Sequence, residues 1–168
     1  MIDSIVRDLQ QPEYHHVLIN PLPVYGLAIA LFGLIAAMYL GTRGGQVSAL
    51  VLIFACAASA WPVAHYGEAA EDRVLAMADD DGQAWLKAHA NRADDFIYVF
   101  YALALVSAAA IFTPKKWPKT ARPLVVATVI LAIASLGTGF YIAHAGGKIR
   151  HREFRNTPPP KTIEAESG

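Results

Sequence analysis

The chain has little sulfur and little charge. Its one cysteine, Cys56, sits in the middle of an apolar run. That excludes a disulfide framework, a four-cysteine iron–sulfur cluster and a prosthetic group attached through Cys-x-x-Cys-His. Charged residues make up 17% of the 168 residues and hydrophobic ones 55%, too apolar a balance for a soluble domain of this size. It fits a small polytopic membrane protein. The 14 basic and 14 acidic residues cancel, so nothing in the charge argues for nucleic acid as a partner. The start Met1-Ile2-Asp3 lacks a basic region leading into a short apolar core and cleavage site, so no cleaved signal peptide is expected.

Long apolar runs are abundant. Residues 22–40, 47–66, 96–113 and 123–145 each approach the roughly 20 residues that cross about 30 Å of hydrocarbon. The first run opens at Asn20-Pro21-Leu22-Pro23, and prolines suit a helix start because their missing N–H costs little there. The second is rich in alanine from Ala55 to Ala60, and small residues let a neighbour or a flat ligand approach closely. Beyond Gly67 the pattern is amphipathic to about Ala78. Asp79-Asp80-Asp81-Gly82 breaks it, and an aspartate there can cap the next helix. Gln83 to Asp95 then leads into the third run without a breaker. The expected fold is all-α: a four-helix transmembrane bundle over residues 1–152, with residues 153–168 a disordered tail.

Acid is absent from one side. The two short loops after the first and third runs carry Arg43, Lys115, Lys116, Lys119 and Arg122, whereas all fourteen Asp and Glu residues fall on the side of the termini. The positive-inside rule places the basic loops in the cytoplasm and both termini in the periplasm of a bacterial inner membrane. The chain would then be a multi-pass protein in contact with the lipid bilayer.

All six histidines share the acidic side. His16 precedes the first span and His65 ends the second; His89 precedes the third and His144 ends the fourth. The intervals are 49 and 55 residues, and the two span ends share Ala-His-x-Gly, which suggests two duplicated helical hairpins. A histidine at a membrane edge costs desolvation, so it usually has a partner or a task. Four in one layer suit axial ligation of haem iron, which takes two imidazoles while its flat macrocycle lies between helices. Ala55, Ala57, Ala58, Ser59, Ala60, Gly137 and Gly139 are candidates to line that slot. Four ligands make two bis-His haem b sites. His65/His144 with His16/His89 is the symmetric pairing, and pairs within each hairpin are the alternative. Arg73, Arg92 and Arg150, with Lys148 and Arg152, are placed to pair the propionates. His15 and His151 read as interfacial residues, and Tyr14, Trp61, Tyr66, Trp85, Trp117 and Tyr141 as an aromatic belt.

The run His16-Val17-Leu18-Ile19-Asn20-Pro21-Leu22-Pro23 resembles the His-Pro-x-x-x-His-Phe-Pro opening of a family of small four-helix bacterial membrane proteins of unknown function. His16 matches the first histidine and Pro23 the last proline, while Pro21 stands where the second histidine would be. The His89 segment and the stretch His144 to Arg150 are similar as well, so the likeness covers about residues 14–152. The family is thought to bind haem b, and the resemblance therefore implies a membrane cytochrome b with His16 as a ligand.

The reading that follows is a membrane b-type cytochrome with haem b, two groups by the histidine count, near the periplasmic side. It would carry electrons to or from a periplasmic or membrane redox partner. It reads as an electron-transfer protein more than an enzyme, with quinol oxidoreductase activity and homo-oligomerisation left open. The competing readings are a zinc- or copper-binding transport or sensing protein and a structural subunit of a membrane complex.

Overall fold

A computed structural model describes residues 6–160, and no strand occurs among the described residues. Four helical segments are long and apolar enough to cross a membrane: Pro12–Tyr39, Arg43–Met77, Asp80–Lys115 and Pro118–Arg150. The protein is an all-α bundle of four candidate spans. Its lipid-facing character is plain from the side chains left outside, among them Phe32 and Leu105, each more than 70% exposed. In water such a surface would aggregate, whereas a bilayer covers it.

Prolines divide the first two spans. The first comprises α1 (Pro12–Ile19), a π-helical turn at Leu22–Gly26 and α2 (Leu27–Tyr39). Pro21 and Pro23 have no N–H to donate, so the turn widens, with Gly26 N–H donating to the Pro21 carbonyl at 3.3 Å. Gly41, at a φ of +67°, makes the next turn in the left-handed region that glycine enters freely. The second span comprises α3 (Arg43–Ala58) and α4 (Ala60–Met77), interrupted at Ser59. Pro62 explains the break, because it cannot donate to the Ala58 carbonyl and its ring crowds that oxygen.

The other two spans are unbroken. In α5 (Asp80–Phe112), Asp79 caps the start by accepting from the Gly82 N–H at 3.0 Å, with Asp80 and Asp81 in the first turn. At about 1.5 Å per residue, 33 residues run about 50 Å, well past the hydrocarbon layer. α6 spans Ala121–Arg150 and continues straight through Gly146-Gly147.

The apolar core occupies the half of the bundle away from the Asp79 turn. Leu27, Leu34, Leu50, Ile53 and Leu103 are fully buried there, among Ala49, Ala57, Ala110 and Ala132, whose small side chains let backbones approach. At the opposite end the chain after α6 packs back onto the helix ends, at the start of the tail expected from residue 153. Arg155 is the reason. Its guanidinium donates to the carbonyls of Lys148 at 2.7 Å and Ile149 at 2.8 Å, which the ending helix leaves without partners, and it pairs with Asp79 at 2.9 Å. Lys148 is buried over the Trp85 ring, 4.1 Å from its centroid, and donates to Thr157. The rest of the expected tail, residues 161–168, lies outside the described residues.

Candidate cofactor site between paired histidines

Two turns before the π-helical kink, α1 leans on α4 and brings His16 against it. The ring Nδ1 bonds the Val63 carbonyl at 2.8 Å. A Cβ added to Gly67 would lie 3.0 Å from Nδ1 and 3.1 Å from Cε1 of that ring, so glycine is what permits the approach. Across the bundle His89 of α5 meets α6 in the same way. Its Nδ1 bonds the Ile142 carbonyl at 3.0 Å, and a Cβ on Gly146 would lie 3.0 Å from Nδ1 and 3.1 Å from Cε1. In each hairpin, then, a histidine bonds a carbonyl and packs on the glycine four residues further along the facing helix.

The two rings lie edge-on to one another. Their centroids are 6.3 Å apart and their planes cross at 88°. With Nδ1 of each engaged by a carbonyl, Nε2 is the nitrogen left free, and neither has a hydrogen-bond partner among the described residues. An Nδ1–H donated to a carbonyl fixes the tautomer whose Nε2 presents a lone pair, the usual way a ligand histidine is oriented.

Around them lies a cavity of about 1160 Å³ that reaches from the Asp79 end into the spans. This exceeds the roughly 300–1,000 Å³ of ordinary ligand pockets. Small residues line it at matching intervals: Ala60, Ala64 and Gly67 on α4, Gly139, Ala143 and Gly146 on α6. Of the slot foreseen from sequence, only Ala60 and Gly139 face the cavity; Ala57 is in the core. The remaining walls come from Val24 at the kink and from Ile97 and Phe100 of α5, with Gly139 packed tightly enough that a Cβ would meet Val24 and Phe100 at 3.0 and 3.2 Å.

The other histidines stand apart. His65 lines the cavity but is exposed and stacks parallel on Trp61, with ring centroids 5.7 Å apart. His144 is exposed and lies outside the cavity, and no ring contact joins it to His65 among the described residues. The reason is angular: on each helix this histidine follows the bonded carbonyl by two residues, about 200° around the axis. His15 stacks on Tyr66 at 4.8 Å and His151 bonds Glu153 at 2.9 Å. Arg73 and Arg150 line the cavity, and Arg73 pairs with Glu13 at 2.9 Å. Arg92 does not line it; it donates to the Tyr141 carbonyl and covers that ring at 3.9 Å. Among the described residues, no group of three or more His, Cys, Asp or Glu side chains is placed to hold an ion.

The chemistry these residues suit can be tested on the ring separation. A metal-bound imidazole nitrogen lies about 2.0–2.1 Å from the ion with its ring centroid about 1.1 Å further back, so two rings in line across one ion have centroids about 6.3 Å apart. The observed separation meets that value. Two protein ligands are too few for zinc, which takes three or four, and they suit an iron that arrives with four donors of its own. The carbonyls that carry this arrangement are not among the residues singled out from sequence, and the two glycines entered only as the last members of the shared Ala-His-x-Gly motif. The signal was present in Ala60-x3-Ala64-x2-Gly67 and Gly139-x3-Ala143-x2-Gly146, a small-residue face repeated at one spacing. No protein family, no curated protein and no solved structure matches the chain.

Proposed function

We propose that the protein is a membrane b-type cytochrome holding one haem b between His16 and His89. The 6.3 Å separation of two crossed imidazoles, each turned by a backbone carbonyl, carries this reading. The haem would supply a one-electron iron couple. The chain's residues would bind and orient it: Nε2 of each histidine would ligate, the Val63 and Ile142 carbonyls hold the rings, and the glycine and alanine faces would admit the macrocycle. Arg73 and Arg150 are placed to pair propionates at the polar end of the cavity. With two histidines of the chain as its ligands, a bound haem would favour electron transfer over O2 binding.

This reading takes one haem rather than the two suggested by the histidine count, since His65 and His144 are both exposed, His144 lies outside the cavity, and no ring contact joins them among the described residues. The matching His–carbonyl–glycine sets support descent of both hairpins from one. The basic loops lie at the end away from the histidines, so the positive-inside rule puts the site near the periplasmic face of a bacterial inner membrane. A periplasmic or membrane redox partner would exchange electrons there.

The test is the reduced-minus-oxidised visible spectrum of purified variants. His16→Ala and His89→Ala are expected to abolish the low-spin b-type spectrum, and His144→Ala to leave it intact. A spectrum that survives the first two unchanged would end the assignment.

A further inference from the structure

The two hairpins frame the cavity unequally. Matching Val63 to Ile142 along the chain also matches Trp61 to Phe140 and His65 to His144. Matching His16 to His89 pairs Pro21 with Asp94 and Tyr25 with Tyr98. In each of these four pairs only one member lines the cavity: Trp61, His65, Asp94 and Tyr98 do, whereas Phe140, His144, Pro21 and Tyr25 do not. Tyr101 joins the first set, its ring 6.0 Å edge-on from Tyr98.

The cavity therefore has a window between α4 and α5 that its counterpart between α1 and α6 lacks. Trp61 and Tyr98 are each more than 60% exposed within segments that cross the membrane, so the window faces lipid at the level of the spans. Its lining is unusual for a lipid-facing surface. A carboxylate and two phenols are collected beside a flat indole–imidazole stack whose planes differ by 4°. Polar side chains gathered at a membrane edge that opens to lipid are costly to leave unpartnered and mark a binding function.

We infer that this window binds the headgroup of a membrane quinone, an inference that rests on the haem reading. The ligand must be lipid-soluble because the opening faces the bilayer. It must carry a flat ring and oxygen functions to use the Trp61–His65 stack and the Tyr98 and Tyr101 hydroxyls. It must also be redox-active to have business beside a haem. A quinone meets all three requirements. Oxidation of one quinol to quinone releases two electrons and two protons. Ferric haems bound by two copies of the chain would accept one electron each, and His65 and the Asp94 carboxylate are placed to accept the protons.

The experiment is equilibrium binding of decylubiquinone to the purified, detergent-solubilised haem protein, with haem per chain measured on the same samples. One saturable site per chain is expected. His65→Ala and Tyr98→Phe should each weaken it about fivefold to tenfold, the loss of one hydrogen bond. Their counterparts His144→Ala and Tyr25→Phe should leave it unchanged, and all four should keep full haem. Decylubiquinol should reduce the haem with a stoichiometry of two haems per quinol. Non-saturable uptake, or equal affinity in His65→Ala and His144→Ala, would overturn the quinone window while the haem assignment stood. A protein without haem would overturn both.

Discussion

The first hairpin is built from broken helices and the second from straight ones, yet each delivers a histidine to the same carbonyl-and-glycine seat. Pro21, Pro23 and Pro62 interrupt the first two spans, while α5 and α6 run 33 and 30 residues without a break. The comparison separates what the site needs from what the helices merely permit. The histidine–carbonyl and histidine–glycine distances are the same in both halves to within a few tenths of an ångström. The kinks change which side chains stand beside the cavity, and that is where the halves differ.

The strongest way to break the equivalence is to remove a ligand. His16→Ala and His89→Ala should each cost the whole haem complement, because one remaining imidazole leaves the iron an open position and a loosened cofactor. Next in size are Gly67→Ala and Gly146→Ala. Each places a methyl 3.0 Å from a ligand ring, an overpacking cost of about 1–3 kcal/mol. Haem occupancy and thermal midpoint should fall in both, and by similar amounts if the two seats are equivalent. A loss in one variant alone would show that only one histidine depends on its glycine.

A sharper test of ligand orientation uses the ferric protein. Imidazole planes crossed at 88° should give a strongly anisotropic low-spin electron paramagnetic resonance signal with a large principal g value, in one population. An ordinary rhombic signal would mean that the planes are near parallel and that the seats do not set them.

The smallest effect concerns the clasp between the hairpins. Asp79 is held down to about 2 from an ordinary 3.8, chiefly by the hydrogen bond from Arg155, with the Gly82 N–H and the Arg152 charge adding to it. A depressed carboxyl contributes stability at pH values above its ordinary range and loses it as pH falls from about 4 through about 2. Asp79→Asn should therefore lower the melting temperature at neutral pH, and the gap from the parent should close across that acid window. A gap independent of pH would mean that the charge of Asp79 contributes nothing to the clasp, since asparagine caps a helix as well as aspartate does.

The architecture was legible because lipid exposure writes itself into composition. Four apolar runs at spanning length, separated by turns at Gly41, Asp79 and Pro114, correspond to the four candidate spans. The histidine layer was also readable, and His16 and His89 do meet. What could not be read was which histidines face inward. His65 and His144 carry the Ala-His-x-Gly signature, but the groups that turn inward from that motif are the carbonyl two residues before the histidine and the glycine two residues after it. A backbone carbonyl has no letter in a sequence, and helix rotation near Pro62 is set by tertiary packing. The same blindness hid Arg155, whose partners are mostly carbonyls of its own chain.

The central claim is one haem on one crossed pair of histidines. A pyridine haemochrome assay against protein concentration measures it directly. The account expects one haem b per chain. Two per chain would require ligands that His65 and His144 do not jointly offer, and none would leave the facing imidazoles without their iron; either result contradicts it.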